Sequence, residues 1–252
     1  MTNFVLVLGG IHEAKALVPR LVELGYRVIY SEAGKGRYPD VSCEIHWGGF
    51  GGVVGLRDFI TTRRVVAVVD MTHPYAAQIH HHAAQASQAA GVPLLRWLRP
   101  PWIEQAGDRW QQCSQWPQLL VELKPFQRVF FALGSAPLQY LPAIDAVQHW
   151  FVRLLNLPEN STAHAAYTLM AGVGTFSTAQ ELHLLKTLQI EVVVCKNSGG
   201  SVGYAKIAAA RELGLPVMLW TRPKAPQELA QNVMDFNVLD ELIQCLKKIS
   251  LE

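Results

Sequence analysis

The sequence predicts an α/β protein of two lobes, each a parallel sheet flanked by helices, with a cleft between the lobes. Three observations predict it: short apolar runs that end in glycine turns, helical apolar spacing in the segments that follow, and a break in texture after residue 99 beyond which the alternation resumes. With 252 residues, half of them hydrophobic, the chain is long enough to build two cores.

The first strand is read at 4–8, an apolar run that stops at Gly9-Gly10. A helix over 13–24 follows, with Ala14, Leu17, Val18, Leu21 and Leu24 at helical spacing and Gly25 ending it before a strand at 27–30. The pattern repeats as a helix at 53–63, a strand at 65–69, a helix at 74–90 closed by Gly91, and a strand at 93–97. Pro100, Pro101, Trp102, Gly107 and Asp108 read as a linker, and an apolar-patterned stretch follows at 116–123. The second alternation comprises strands at 128–133 and 150–154, a helix at 177–188, a strand at 190–195, a helix at 204–213 and a strand at 216–220. The lobes are therefore expected at 1–104 and 105–252.

Composition excludes several classes of function. Lys plus Arg total 22 against 20 for Asp plus Glu, so the net charge of +2 gives no field suited to nucleic acid or an anionic membrane. The four cysteines form no Cys-x-x-Cys pair, which argues against a zinc site and fits a reducing cytoplasm. No basic leader precedes the first strand, and no apolar run approaches the roughly 20 residues that span a bilayer. A cytoplasmic protein is expected, with the choice between monomer and homodimer open.

The turn Gly9-Gly10-Ile11-His12-Glu13-Ala14 stands where a Rossmann phosphate loop would, at a helix N-terminus whose amides and dipole favour an anion. Ile11 and Ala14 replace two glycines of the fingerprint, so a plain structural turn explains the letters equally well. Ser31, Lys35 and Arg37 follow the second strand, where a serine and cations suit a 2′-phosphate and hence NADPH, although Glu32 cuts the other way and a solvated loop is an equal reading. In Gly48-Gly49-Phe50-Gly51-Gly52, four glycines before a helix make a backbone that a ligand can approach closely. Thr72 and His73, ahead of Pro74 and Tyr75, open another helix at a strand end, with His73 aimed into the crevice. His80, His81 and His82 are consecutive on a helix, cannot converge on one ion, and read as a polar face; no metal site is expected.

In the second lobe, Lys196-Asn197-Ser198-Gly199-Gly200 closes a strand, with Lys206 and Arg211 on the next helix, a combination that reads as an anion site. Arg99 and Arg222, each before a proline at a strand exit, supply further guanidiniums, or simply rigid exits.

Taken in order, these motifs resemble the precorrin-6A reductases of cobalamin biosynthesis, a family that includes the cobalt-precorrin-6A reductases. The resemblance rests on Leu8-Gly9-Gly10 with Glu13-Ala14, the glycine run at 48–52 with Gly55-Leu56, Asp70 with Thr72-His73-Pro74-Tyr75, Arg99-Pro100 with Trp102, the 196–200 turn, and Arg222-Pro223. It implies two Rossmann-like lobes, NADPH on the first, an anionic tetrapyrrole-derived macrocycle between them, and hydride transfer to one ring carbon with protonation of its neighbour. Carried over, Gly9, Gly10, Ile11, Glu13, Gly49, Phe50, Gly51, Gly52, Thr72 and His73 would line the cofactor. Gly134, Ser135, Lys196, Ser198, Gly199, Gly200 and Lys206, with Arg99 and Arg222, would face the substrate. His73 and Tyr75 have proton-donor chemistry, and water is an equal candidate. The chain departs from the family at Ala132-Leu133-Gly134-Ser135, at Gly174-Thr175-Phe176 and at Ile11. Two other classes also fit two lobes around a cleft: a non-enzymatic small-molecule binding protein, and a transferase using a nucleotide donor.

Overall fold

Continuous apolar runs become central strands because both faces of a parallel sheet are covered. The computed structural model describes residues 4–34, 38–159, 164–172, 175–223 and 232–249. Its first unit begins with Phe4–Leu8 (β1), His12–Glu23 (α1) and Arg27–Glu32 (β2). Glu44–Trp47 (β3), Gly52–Thr62 (α2), Val65–Asp70 (β4), Ala77–Ala90 (α3) and Leu94–Trp97 (β5) follow. Helix α3 starts three residues later than its apolar pattern predicts, because Pro74 and Tyr75 are taken up in a turn.

The second unit holds Trp110–Cys113 (β6), Trp116–Leu123 (α4), Arg128–Ala132 (β7), a 3-10 segment at Ala136–Ala143, His149–Leu154 (β8) and Tyr167–Ala171 (β9). Thr178–Thr187 (α5), Val192–Lys196 (β10), Ala205–Glu212 (α6) and Val217–Trp220 (β11) complete it. Helix α5 opens on a capping box: Ser177 accepts from the Gln180 amide at 3.2 Å, and the Gln180 side chain accepts from the Ser177 amide at 2.9 Å.

Val233–Phe236 (β12) and Leu239–Ile249 (α7) then return to the first unit, which comprises Met1–Pro100 and Pro223–Glu252; the second is Pro101–Arg222. The sequence reading placed everything after 104 in the second lobe. The physical reason for the return is an edge and a face: β12 pairs in parallel with β5, and α7 buries Leu242, Ile243 and Leu246 in the cluster that contains Leu17, Val18 and Tyr30.

Each unit is a six-stranded sheet with every pairing parallel, in the orders β12-β5-β4-β1-β2-β3 and β6-β11-β10-β7-β8-β9. In both, the direction of progression reverses beside the strand that starts the alternation, β1 or β7, and ligand crevices form at that reversal. Among the described residues, no helix is long and apolar enough to cross a membrane.

Candidate functional site

In the first unit, the crevice at the strand carboxyl ends lies between the turn after β1 and the segment after β4. Gly9 is obligatory there, since a Cβ at this position would stand 2.2 Å from the ring of Tyr30, which is fully buried beneath the turn. The Gly9 amide donates to the Ser31 carbonyl at 2.7 Å, and Gly10, at φ 141°, stands opposite Thr72 and His73, whose backbone a Cβ at Gly10 would meet at 3.7 Å. The two walls of the crevice therefore face each other across the space a Gly10 side chain would fill. Ile11 caps α1 without any side-chain hydrogen bond, and of the first-turn amides that of Ala14 bonds the Ile11 carbonyl at 3.2 Å, which leaves those of His12 and Glu13 as the ones suited to an anion. Glu13 on that turn is ion-paired with Arg99, which is buried (7% exposed). Arg99 thus stands in the first unit beside the glycine turn, as the expected lobe boundary also placed it.

The segment after β4 is held by Asp70, whose side chain is wholly buried. Its Oδ1 accepts from the Thr72 amide at 3.0 Å and from Thr72 Oγ1 at 2.8 Å, while Oδ2 lies 2.6 Å from His80 Nδ1. The other ring nitrogen, His80 Nε2, is 3.2 Å from the His73 carbonyl. Burial opposes ionisation of both partners, but the hydrogen bonds and mutual attraction prevail: the Asp70 carboxyl is held below the usual range and His80 above it. His73 Nδ1 accepts from the Tyr75 amide at 3.2 Å, which puts the proton of its neutral ring on Nε2. Sequence reasoning took His80 for a polar helix face. The ten-residue separation across a turn carries no periodic signal that links it to Asp70.

Around this crevice, backbone at Gly51 (φ 78°) and Gly52 (φ 91°) is left-handed, and the space beside Gly49, Gly51 and Gly52 is open. Phe50 turns away from it, stacked on His46 at 4.3 Å and edge-on to Phe59, so it anchors the loop to the core. Ser31 is buried and braces the turn through its carbonyl. Lys35 and Arg37 lie outside the described residues, as does Gly174.

In the second unit, Gly134 (φ 66°) and Ser135 are exposed at the end of β7, and the 196–200 turn ends β10. Asn197 ties that turn to Trp102 twice, accepting from its amide at 2.8 Å and donating to its carbonyl at 3.1 Å. Trp102 Nε1 donates to the Gly200 carbonyl at 2.7 Å, and Arg222 Nε to the Asn197 carbonyl at 2.7 Å. Gly199 is buried, Ser198 and Lys196 are half-buried, and burial pushes the Lys196 ammonium down. Lys206 bonds the Gly203 carbonyl at 2.6 Å and lies over the Trp102 ring, so it points into the turn's support. Arg211 is taken by Asp108 at 2.8 and 3.0 Å. Sequence reasoning missed the bracing by Asn197 and Trp102, because their contact spans 95 residues. An apolar cavity of about 530 Å³ beside α5, lined by Arg153, Phe176 and Leu184 among others, includes none of these turn residues. No metal-binding cluster occurs among the described residues.

Two parallel sheets, each with glycine turns at its strand-order reversal, define a two-lobed protein of Rossmann-like type. Residues 4–247 match the family of the precorrin-6x reductases, CbiJ/CobK. The precorrin-6A reductase of Rhodobacter capsulatus is 38% identical over 88% of both chains, and that of Mycobacterium tuberculosis 34% identical over 90% of this chain and 91% of its own. A cobalt-precorrin-6A reductase of Salmonella typhimurium is 26% identical over 87% of each. The solved structure of a CobK precorrin-6A reductase superposes with a TM-score of 0.87 at 35% identity, covering 98% of this chain and 97% of that one. The chain belongs to the precorrin-6A reductase family, oxidoreductases of cobalamin biosynthesis that act on a ring carbon-carbon double bond. The readings as a non-enzymatic binding protein or a transferase are not favoured by these relationships.

Proposed function

We propose that the first unit binds NADPH and that the protein uses it to reduce one ring double bond of metal-free precorrin-6A. The observation that carries the cofactor reading is the crevice between Gly9-Gly10 and Thr72-His73: a turn with no room for a Cβ at Gly9 and a positive φ at Gly10, next to a helix N-terminus without a side-chain cap, suits a pyrophosphate. Open backbone at Gly49, Gly51 and Gly52 offers further amides on the same carboxyl edge. When bound, NADPH supplies the hydride.

The chain's own residues do the rest. Glycine-turn amides orient the phosphates, and Asp70 and Thr72 hold His73 at the crevice wall. His73, with its proton on Nε2, and Tyr75 beside it at a 5.6 Å ring separation, are the groups there with proton-donor chemistry. Lys196 and Arg222, with the amides of the 196–200 turn, answer the carboxylates of the macrocycle in the second unit. The metal-free substrate is favoured by higher identity to the precorrin-6A reductases (34–38%) than to the cobalt-precorrin-6A reductases (26–27%). Four free cysteines suit a reducing cytoplasm.

Fluorescence titration with NADPH and NADH, followed by absorbance assays on precorrin-6A with and without cobalt, tests this. Saturable NADPH binding and turnover of the metal-free ring are expected; absence of NADPH binding sinks the reading.

A further inference from the structure

We propose that His80 is a positioning residue of the cofactor crevice: as an imidazolium bridging the Asp70 carboxylate and the His73 carbonyl, it fixes the segment after β4 against the Gly9-Gly10 turn. The inference rests on the proposed cofactor reading and adds to it a residue that itself touches no ligand.

The geometry dictates the charge. Nδ1 of His80 faces a carboxylate oxygen at 2.6 Å and Nε2 faces a carbonyl oxygen at 3.2 Å. Thr72 Oγ1, 3.3 Å from Nδ1, gives its own proton to Asp70 Oδ1, so with Asp70 ionised every neighbour accepts, both ring nitrogens donate, and an imidazole donates from both only as a cation. The neutral ring would set a lone pair against an oxygen at one end.

The surroundings support the same state. His80 lies in the first turns of α3, where the helix dipole disfavours a cation, and its side chain is only 13% exposed. Such a charge persists through its partner, the wholly buried Asp70. Arg96, in register with Asp70 on β5, opposes the His80 charge, and its guanidinium is itself engaged by Asp235 at 2.7 and 2.8 Å. On α2, which packs beside α3, Arg57 and Asp58 pair with each other at the surface.

What the cation holds is the crevice wall. The His73 carbonyl that His80 binds also accepts from the Ala76 amide at 2.7 Å, closing the turn that precedes α3. The His73 amide and Thr72 Cα lie 3.7 Å from where a Cβ of Gly10 would stand. Loss of the proton on His80 therefore frees one wall of the site that grips the phosphates, without removing any group that touches them.

The test is the dissociation constant of NADPH, by fluorescence, from about pH 7, where a 2′-phosphate is largely ionised, to about pH 9.5. It is measured on the wild-type protein, His80→Ala, His80→Asn, and His81→Ala at the exposed neighbouring position. His80→Ala should weaken binding roughly tenfold, with KM for NADPH rising far more than kcat falls. His80→Asn, whose amide can reach Asp70 but not the His73 carbonyl, should recover part of the affinity, and His81→Ala should change nothing. Wild-type affinity should fall as pH rises through the His80 pKa, and both His80 variants should lack that fall. A His80→Ala protein that melts earlier yet binds NADPH with the wild-type affinity and pH response overturns the proposal. If that variant does not fold, a His80→Asn protein that binds NADPH with the wild-type affinity and pH response overturns it instead. Failure of the wild-type protein to bind NADPH at any pH is a separate result, which removes the cofactor reading and this proposal with it.

Discussion

Arg96 on β5 grips Asp235 on β12 through two parallel hydrogen bonds of 2.7 and 2.8 Å, joining residues 139 positions apart. The guanidinium is buried while the carboxylate keeps 41% of its exposure. Asp235→Ala should cost about 1–2 kcal/mol in urea unfolding, less than a fully buried pair because Asp235 is partly solvated. Removing residues 223 onward should do far more, since it unpairs the β5 edge and strips Leu242, Ile243 and Leu246 from the core, at about 1.5–3 kcal/mol each. Loss of soluble protein on expression of that truncation is the expected readout.

Gly9→Ala should disable the phosphate turn. A Cβ 2.2 Å from the buried Tyr30 ring forces the turn or the ring to move, a displacement costing about 1–3 kcal/mol. Thermal unfolding and NADPH titration should both report the damage. The double variant with Tyr30→Val should regain stability, because the obstruction is the ring itself.

The Asp70–His80 pair gives a pH window for stability. His80 is raised from 6.5, so its contribution is complete below that value and is lost as pH rises through the folded-state pKa. Asp70 is lowered from 3.8, so its contribution is present above that value and is lost as pH falls through the folded-state pKa. The thermal midpoint should therefore be best between the two. Asp70→Asn should lower it most inside that window, and a variant with the wild-type pH profile would contradict the pairing.

Lys196 and Lys206 should separate cleanly. Lys206 is held low by burial and is bonded inward to the Gly203 carbonyl, so Lys206→Met should be neutral or stabilising and leave the precorrin KM within about twofold. Lys196→Met should raise that KM about tenfold, the loss of one charge-assisted contact. The reverse ranking in steady-state kinetics would place the substrate on the other lysine.

The central strands were legible because their faces are covered: β1, β4, β7 and β10 appear as unbroken apolar runs. The four strands that sequence reasoning missed, β3, β6, β9 and β12, are the four sheet edges, where sequences such as Trp110-Gln111-Gln112-Cys113 carry no such signal. The site divides similarly. Glycine-rich strand exits are visible in the sequence, so the positions of the turns at Gly9, Gly51 and Gly199 were legible as turns. Side chains that act across the fold, such as His80, Asn197 and Trp102, depend on distances that no local pattern encodes.

Among the described strands, β12 stands latest in sequence and closes the first sheet, whereas the sheet completed by β6 is encoded in one uninterrupted stretch. A nascent chain emerging from the ribosome can finish its downstream half before its upstream half. Until β12 arrives, β5 presents an open row of amides and carbonyls to any passing strand, so the interval before β12 is made is one in which this sheet is open to misassembly.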